Sequence, residues 1–243
     1  VAAGVMTTAT DGAYRKVADH NPWQRFMVLW SDARISADLT IYMNAYNDPR
    51  RAAYYDKSTF NAVSGAAYTG EESFIGLRRG ILQGQYNSWS QGFSCMKVAT
   101  NSDIVVFRAS EVAFLRAEGA LRNWNMGGSA KDLYEAGIRL SFEENGITSG
   151  IESYLANTER VKAYKDPLNG QNGQSYNYSE IINTDVTVAW SGDDFEKCLE
   201  QIITQKWIAN FPNGMESWSE YRRTGYPKLM PMAGNASGGI VDD

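Results

Sequence analysis

One stretch near the end of the chain constrains the fold most, because it specifies two helices and the turn between them. Leu199, Ile202 and Ile203 recur at helical spacing and give the first helix an apolar face. The Pro-Asn-Gly sequence at 212–214 interrupts this period, since proline lacks a backbone donor and Asn-Gly accepts a left-handed turn. Gly225, with a proline two positions later, ends the second helix. The predicted helices span 193–210 and 213–223. Ser191 or Asp193 is the expected cap of the first one.

A second pair of helices is predicted over about 103–146. Phe114 and Leu121 fall near one face of its first helix, expected over 103–124, and interspersed alanines permit close approach of a neighbour. A Gly-Gly pair ends that helix, and Ser129 is expected to cap the next one. The pair is close in length to the roughly 34-residue tetratricopeptide unit.

The rest of the chain predicts long connections rather than a second domain. Residues 58–102 and 147–192 are rich in Gly, Ser, Asn and Gln without a sustained period, which is typical of shaped loops, apart from a strand expected at 181–189. Shorter helices are expected at 11–18 and within 23–43. The expected fold class is therefore mainly α: tetratricopeptide-like helical hairpins that carry long irregular loops.

Aromatic rings in the loop-rich segments are candidates for ligand binding. They lie among Gly, Gln, Asn and Ser, in no helical or alternating order that would bury all of them. A pyranose stacks its apolar face on an aromatic plane, while amide and guanidinium groups bond to its hydroxyls. Burial in packing is the alternative for each ring on its own. The predicted ligand-binding residues are Tyr68, Phe74, Arg78, Tyr86, Trp89, Tyr176 and Tyr178.

Several stretches of the sequence resemble the SusD/RagB-like outer-membrane nutrient-binding lipoproteins. In that family a QKW helix, here at 205–207, is followed by a glycine turn, a tryptophan and an RRTGYP ending, here at 222–227. Three further stretches agree with the family and follow its order: 35–39 leading to 46–50, then 107–118, then 134–142.

The resemblance implies both an architecture and a role. Family members are longer, so residues 1–243 are expected to be the C-terminal portion of a SusD-like domain. The implied protein is non-catalytic and is tethered to the outer membrane by an N-terminal lipid absent from this chain. It binds oligosaccharides at the cell surface, or peptides in some relatives, and delivers them to a SusC-like TonB-dependent transporter. No cofactor or metal is expected.

Composition and motifs argue against several other functions. A net charge of -5 disfavours nucleic-acid binding, which needs a concentrated positive surface. The single histidine, His20, is expected on an exposed loop, and it has no metal-ligand spacing to Cys95 or Cys198. The two cysteines are expected to stay unpaired. No apolar run reaches the roughly 20 residues that a membrane-spanning helix needs.

Glu111 and Glu118 are the carboxylates on which a glycosidase would depend, since such enzymes place two acids around the scissile bond. They share a face of one predicted helix, and Arg108 and Arg122 lie within reach as local partners. Structural ion pairs are therefore favoured over catalysis. Two alternatives to glycan binding stay open: a tetratricopeptide-like scaffold for a protein or peptide, and a carbohydrate-active hydrolase.

Other prominent residues are expected to be structural. Trp207 and Trp218, on the two helices of the last hairpin, are expected in its core. Arg222 and Arg223 are expected to bind the last carbonyls of their helix, with anion capture as the alternative. The Asp-Pro-Arg sequence at 48–50 predicts a turn with a salt bridge.

Overall fold

The computed structural model describes residues 5–58, 73–80, 92–166, 182, 184–192 and 194–234. The chain divides into two compact units, each built from three separate stretches of sequence. The first unit comprises Val1–Ala18, Ser102–Arg160 and Asp185–Lys228. The second unit comprises Asp19–Asn101, Val161–Thr184 and Leu229–Asp243.

Helices make up most of the regular structure, which confirms the predicted mainly α class. The described helices are α1 (Ala37–Ala45), α2 (Arg51–Tyr54), α3 (Ala109–Leu121), α4 (Ala130–Glu144), α5 (Ile151–Leu155), α6 (Phe195–Ala209) and α7 (Gly214–Thr224). A 3-10 turn spans Ala9–Asp11 and a π-helix spans Gln24–Leu29. Two short strands, β1 (Ala13–Arg15) and β2 (Ile104–Phe107), pair in antiparallel fashion.

Helices α3 and α4 form the first predicted hairpin in the first unit. Ser129 caps α4 as predicted, its Oγ accepting a hydrogen bond at 3.1 Å from the backbone N–H three residues on. At the other end, the carboxylate of Glu144 accepts hydrogen bonds from Ser110, at 3.0 Å from its N–H and 2.6 Å from its Oγ. Gly137 permits close approach, since a Cβ there would lie 2.7 Å from the ring of Phe114. The hairpin is therefore fixed at both ends and packed tightly between them.

Helices α6 and α7 form the second predicted hairpin. The N-cap of α6 is Asp194, which follows the expected candidates Ser191 and Asp193 by three positions and one, and it accepts from the N–H three residues on at 2.8 Å. Asn213 caps α7, and Gly225 ends it in a left-handed conformation with φ of 76°. Leu199 and Ile203 of α6 form a buried apolar cluster with Tyr226, just beyond α7. Both helices lie within two residues of their predicted bounds.

Three predicted elements are wrong. Residues 104–107 were expected to begin a helix but form β2, because they find a pairing partner in β1. The helix expected at 11–18 is replaced by the end of the 3-10 turn and by β1. No strand is present at 182 or 184–189, the described part of the strand expected at 181–189.

The tryptophans of the second hairpin are less buried than predicted. Trp218 is 56% exposed and stacks on Tyr221, with ring centroids 6.0 Å apart. Trp207 is half-buried. Core packing is therefore the wrong expectation for Trp218, because α7 turns its buried Glu220 toward Lys206 of α6 instead.

Buried charges organise the second unit. Asp48 and Arg50 are fully buried, with 2.6 Å between Asp48 Oδ2 and Arg50 Nη2, which confirms the predicted turn and salt bridge. Asp38, in the first turn of α1, accepts hydrogen bonds from Arg79 Nε at 2.9 Å and from the Met230 N–H at 2.8 Å. One carboxylate thus holds together three stretches of this unit that are far apart in the sequence.

Candidate functional site

An exposed aromatic surface lies on the π-helix of the second unit. Trp23, Phe26 and Trp30 are 38%, 41% and 59% exposed. We call these three rings the π-helix aromatic face. Leu29 beside them is also exposed, whereas Met27 is buried. Large exposed apolar groups so close together in the sequence make this segment a candidate for contact with a ligand or a partner.

The backbone holds this segment in an unusual conformation. The N–H of Trp30 donates to the carbonyl of Arg25 at 2.9 Å, a five-residue closure of the π type. Asn21 is buried at its start, accepting from the Trp23 N–H at 2.9 Å through Oδ1 and donating its own N–H to the Thr100 carbonyl at 2.7 Å. Turns of the π type are rare and recur at functional sites.

Met27 ties the other side of the segment to the second unit. Its carbonyl accepts from Cys95 Sγ at 3.3 Å and from Arg34 Nη1 at 3.4 Å. Burial raises the pKa of the Cys95 thiol, which keeps it protonated as a donor. Arg34 also donates to Ser31 Oγ at 2.5 Å, just beyond the π-helix. Because the inward residue is anchored, the rings beside it are presented outward.

Polar groups adjoin the π-helix aromatic face. His20, which was expected to be exposed, is half-buried and hydrogen-bonds to Gln24. Arg25 and Asp32 are exposed nearby in the sequence. Exposed rings with amide, guanidinium and carboxylate groups nearby in the sequence match the chemistry of a sugar, which combines apolar CH faces with hydroxyls.

Two of the predicted ligand-binding residues are buried in the second unit. Phe74 is 6% exposed; its ring meets Tyr55 edge to face at 5.7 Å, and the guanidinium of Arg51 lies 5.1 Å from its centroid. Arg78 is 9% exposed and donates to the carbonyl of Pro231 at 3.1 Å. The expectation that both lie on a loop surface is corrected, because each is enclosed by packing partners.

The other predicted ligand-binding residues lie outside the described part of the chain: Tyr68, Tyr86, Trp89, Tyr176 and Tyr178. Their role stays a prediction. The described residues on either side of these stretches all belong to the second unit: Ser58 and Ser73, Gly80 and Gly92, Asp166 and Ile182. The segments therefore connect to the same unit that carries the π-helix aromatic face.

The π-helix aromatic face was not predicted from the sequence. Between Trp23 and Trp30, six of eight residues are apolar. A short helix that buries one stripe cannot cover so many apolar side chains. This excess of apolar residues could have identified the segment as a candidate binding surface from the sequence. It does not show which of the rings are exposed.

A protein-family model described as Susd and RagB outer membrane lipoprotein matches residues 1–243. The chain belongs to the SusD-like family. This membership confirms the resemblance carried by the QKW and RRTGYP sequences. No curated protein matches the chain significantly.

Solved SusD homologues share the fold of this SusD-like chain. One from Bacteroides ovatus is 86% identical with a TM-score of 0.91, covering 100% of this chain and 49% of its own. One from Bacteroides thetaiotaomicron is 45% identical with a TM-score of 0.83, covering 95% and 46%. A chitin-binding SusD homologue from Flavobacterium johnsoniae is 42% identical with a TM-score of 0.82, covering 98% and 47%. The chain spans about half the length of these relatives.

The two carboxylates that a hydrolase would use lie next to arginine or lysine side chains in this SusD-like chain. Glu118 accepts from Arg223 at 2.6 Å on each oxygen and from Arg122 at 3.0 Å. Burial raises the pKa of Glu118, but these hydrogen bonds outweigh burial and hold the pKa below its ordinary value. Glu111 lies 3.7 Å from Lys206, rather than pairing with the arginine three residues before it. Glu118 is therefore used in ion pairs, whereas Glu111 lies beside Lys206 beyond hydrogen-bond distance.

Neither a metal cluster nor a membrane-spanning helix is found in the described ranges. No group of three or more His, Cys, Asp and Glu side chains there is placed to hold a metal ion. None of the helices described is long and apolar enough to cross a bilayer. Cys95 and Cys198, both described, are free thiols.

Proposed function

We propose that this chain supplies a glycan-binding surface of a non-catalytic, cell-surface nutrient-binding protein. The observation that carries the proposal is the π-helix aromatic face, three exposed rings on an anchored segment of a SusD-like chain. The segments that hold the other predicted rings connect to described residues of the same unit. Tyr68, Tyr86, Trp89, Tyr176 and Tyr178 are its further candidate contacts.

Stacking gives such a surface its affinity. Each ring placed against a sugar face contributes about 1 kcal/mol beyond the area that it buries. Because association has its own entropic cost, several rings must act together for useful affinity. Rings on an anchored segment lose little freedom when they bind, which favours Trp23, Phe26 and Trp30 as the first contacts.

The bound oligosaccharide is delivered to a SusC-like TonB-dependent transporter in the outer membrane. Family membership supports this partner, and the family's description as outer-membrane lipoproteins supports a location at the cell surface. The same description supports a covalently attached lipid as the membrane anchor.

Chito-oligosaccharides are the first ligands to test. The chitin-binding homologue is 42% identical over nearly the whole of this chain, which makes N-acetylglucosamine polymers the nearest indicated class. Starch-, mannan- and xylan-derived oligosaccharides and short peptides complete the panel, because loop conformation decides which ligand fits.

Calorimetric titration of this panel tests the proposal with matched tryptophan variants. Trp30→Ala is expected to weaken binding of the best ligand by about fivefold, the equivalent of roughly 1 kcal/mol. Trp124→Ala is the control, since Trp124 is a similarly exposed tryptophan, at 62%, in the first unit. The Trp124→Ala variant is expected to bind the same ligand with the affinity of the wild type.

Two results would count against the proposal. Equal losses in Trp30→Ala and Trp124→Ala would remove the π-helix aromatic face from the binding surface. Steady release of reducing ends during the titrations, abolished by one Glu substitution, would overturn the non-catalytic role.

A further inference from the structure

Lys206 of α6 is buried among carboxylates from two neighbouring helices. Its Nζ lies 2.6 Å from Glu220 and 2.8 Å from Glu216, both on α7, and 3.7 Å from Glu111 on α3. The side chains of Lys206 and Glu111 are 2% and 4% exposed. One ammonium therefore faces three carboxylates, of which Glu111 and Glu220 are buried and Glu216 is 34% exposed.

Two arginines and a fourth carboxylate extend this cluster. Arg223 Nε lies 3.0 Å from Glu220, and Arg223 Nη1 lies 2.6 Å from Glu118, which also pairs with Arg122 at 2.9 Å. We call the group the α3–α6–α7 seam: Glu111, Glu118, Arg122, Lys206, Glu216, Glu220 and Arg223. Its three cations face four carboxylates, so the fully ionised seam carries one net negative charge. Arg122, Glu216 and Arg223 are partly exposed, at 36%, 34% and 43%, whereas Glu111 is buried. A negative charge on the buried Glu111 is costly, and a single proton removes it.

Glu111 is the carboxyl placed to hold that proton. At 3.7 Å from Nζ it lies beyond hydrogen-bond distance of Lys206, whereas Glu216 and Glu220 are bonded. Burial raises the pKa of Glu111 to about 7, against the opposing effect of Lys206, and Glu216 adds to the rise. Burial lowers the pKa of Lys206, but its hydrogen bonds to Glu216 and Glu220 outweigh burial and raise it, so it stays charged.

The remaining groups near Glu111 do not supply the missing positive charge. Asn210, the residue after α6, is uncharged and hydrogen-bonds to Glu111 through its side chain. From α4, Glu144 reaches the first turn of α3, where it is bonded to Ser110 and lies 3.8 Å from Arg108. That pair is neutral as a whole and leaves the balance of the seam unchanged.

We propose that the α3–α6–α7 seam is a pH-responsive latch, which holds α7 on α3 and α6 most firmly when Glu111 carries a proton and loosens as the proton is lost. A glutamic acid in water has a pKa of about 4.3. Between this pH and about pH 7, Glu111 holds a proton when α7 is packed against it and releases the proton when α7 opens. The stabilisation is complete below this interval and declines as pH rises through it. The proposal is independent of glycan binding.

Hydrogen exchange of the protein between pH 5 and 8.5 tests the latch. Protection factors correct for the pH dependence of the intrinsic exchange rate, so they report the opening of α7 itself. In the wild type, protection of α7 amides is expected to fall about tenfold to a hundredfold between pH 5 and pH 8. Glu111→Gln, which keeps a neutral side chain at every pH, is expected to flatten this profile. Glu152→Gln, an exposed acid paired with Arg139 in the same unit, is the control and is expected to keep it.

A flat wild-type profile, or a Glu111→Gln profile parallel to that of the wild type, would overturn the proposal. Carbon-13 NMR titration of the Glu111 carboxyl in the wild-type protein gives a reading that needs no variant. A midpoint near pH 7 supports the latch, and a midpoint near the ordinary value for glutamic acid contradicts it. Glu216→Gln removes one negative charge from the seam and is expected to move the Glu111 midpoint to lower pH.

Discussion

Asp48 and Arg50 show how single residues hold the second unit together. Arg50 is among the largest fully buried side chains of the described residues, and Asp48 meets it through both carboxylate oxygens, Oδ1 at 3.0 Å and Oδ2 at 2.6 Å. A guanidinium remains charged at any accessible pH, so it cannot respond to the loss of its partner by giving up a proton. The pair is therefore sensitive above all to the removal of its carboxylate.

Asp48→Ala is expected to lower the free energy of unfolding by about 3–5 kcal/mol, because it removes the carboxylate that is bonded to Nε and Nη2 of the buried Arg50. Urea denaturation followed by circular dichroism measures this loss. Glu152→Ala removes one member of an exposed ion pair and is expected to leave the stability nearly unchanged. Similar losses in both variants would show that the Asp48–Arg50 pair has no special role.

Local residue patterns were predictable, whereas partners across the fold were not. The turn and salt bridge at 48–50 follow from residues two apart in the sequence. Glu111 was expected to pair with an arginine one turn away, but its cation is Lys206 on another helix. Trp218 was expected inside the hairpin and is exposed. A sequence shows which residue types are available, and packing decides which of them meet.

At the scale of elements, helices with caps and stop signals were predicted well. Helices α4, α6 and α7 have capping side chains and glycine or Asn-Gly stops that act within a few residues. Strands β1 and β2 were missed, because each has at most four residues and exists only through pairing with a partner about ninety positions away in the sequence. The π-helix segment has a start signal in Asn21 and Pro22, but no residue pattern there indicates that its backbone closes over five residues.

Gly137→Ala tests the tight contact of α3 with α4. The added Cβ would lie 2.7–2.9 Å from three atoms of the Phe114 ring, which is itself fully buried. Overpacking of this kind is expected to lower the free energy of unfolding by about 1–3 kcal/mol, measured by chemical denaturation.

Gly214→Ala is the matched control for that substitution. A Cβ at Gly214, the first residue of α7, meets no atom within 4 Å. Stability is expected to stay the same or to rise by about 0.5 kcal/mol, since alanine reduces the freedom of the unfolded chain. If Gly137→Ala were as well tolerated as Gly214→Ala, the close approach of the two helices would be wrong.

At the scale of the whole molecule, the helical architecture was predicted but the division into two units was not. Each unit combines stretches from distant parts of the chain, as shown by the hydrogen bond between Met230 and Asp38 and by the ion pair of Arg223 with Glu118. Such pairings leave no periodic signal in the sequence. The helical hairpins lie in the first unit, and the π-helix aromatic face lies in the second.

The crystal structure of the protein bound to its best oligosaccharide tests the central claim most directly. A sugar ring is expected to stack on at least one of Trp23, Phe26 and Trp30, with carbon atoms within about 4 Å of the aromatic plane. A saccharide bound only to helices of the first unit, with the π-helix aromatic face left bare, would contradict the proposed function.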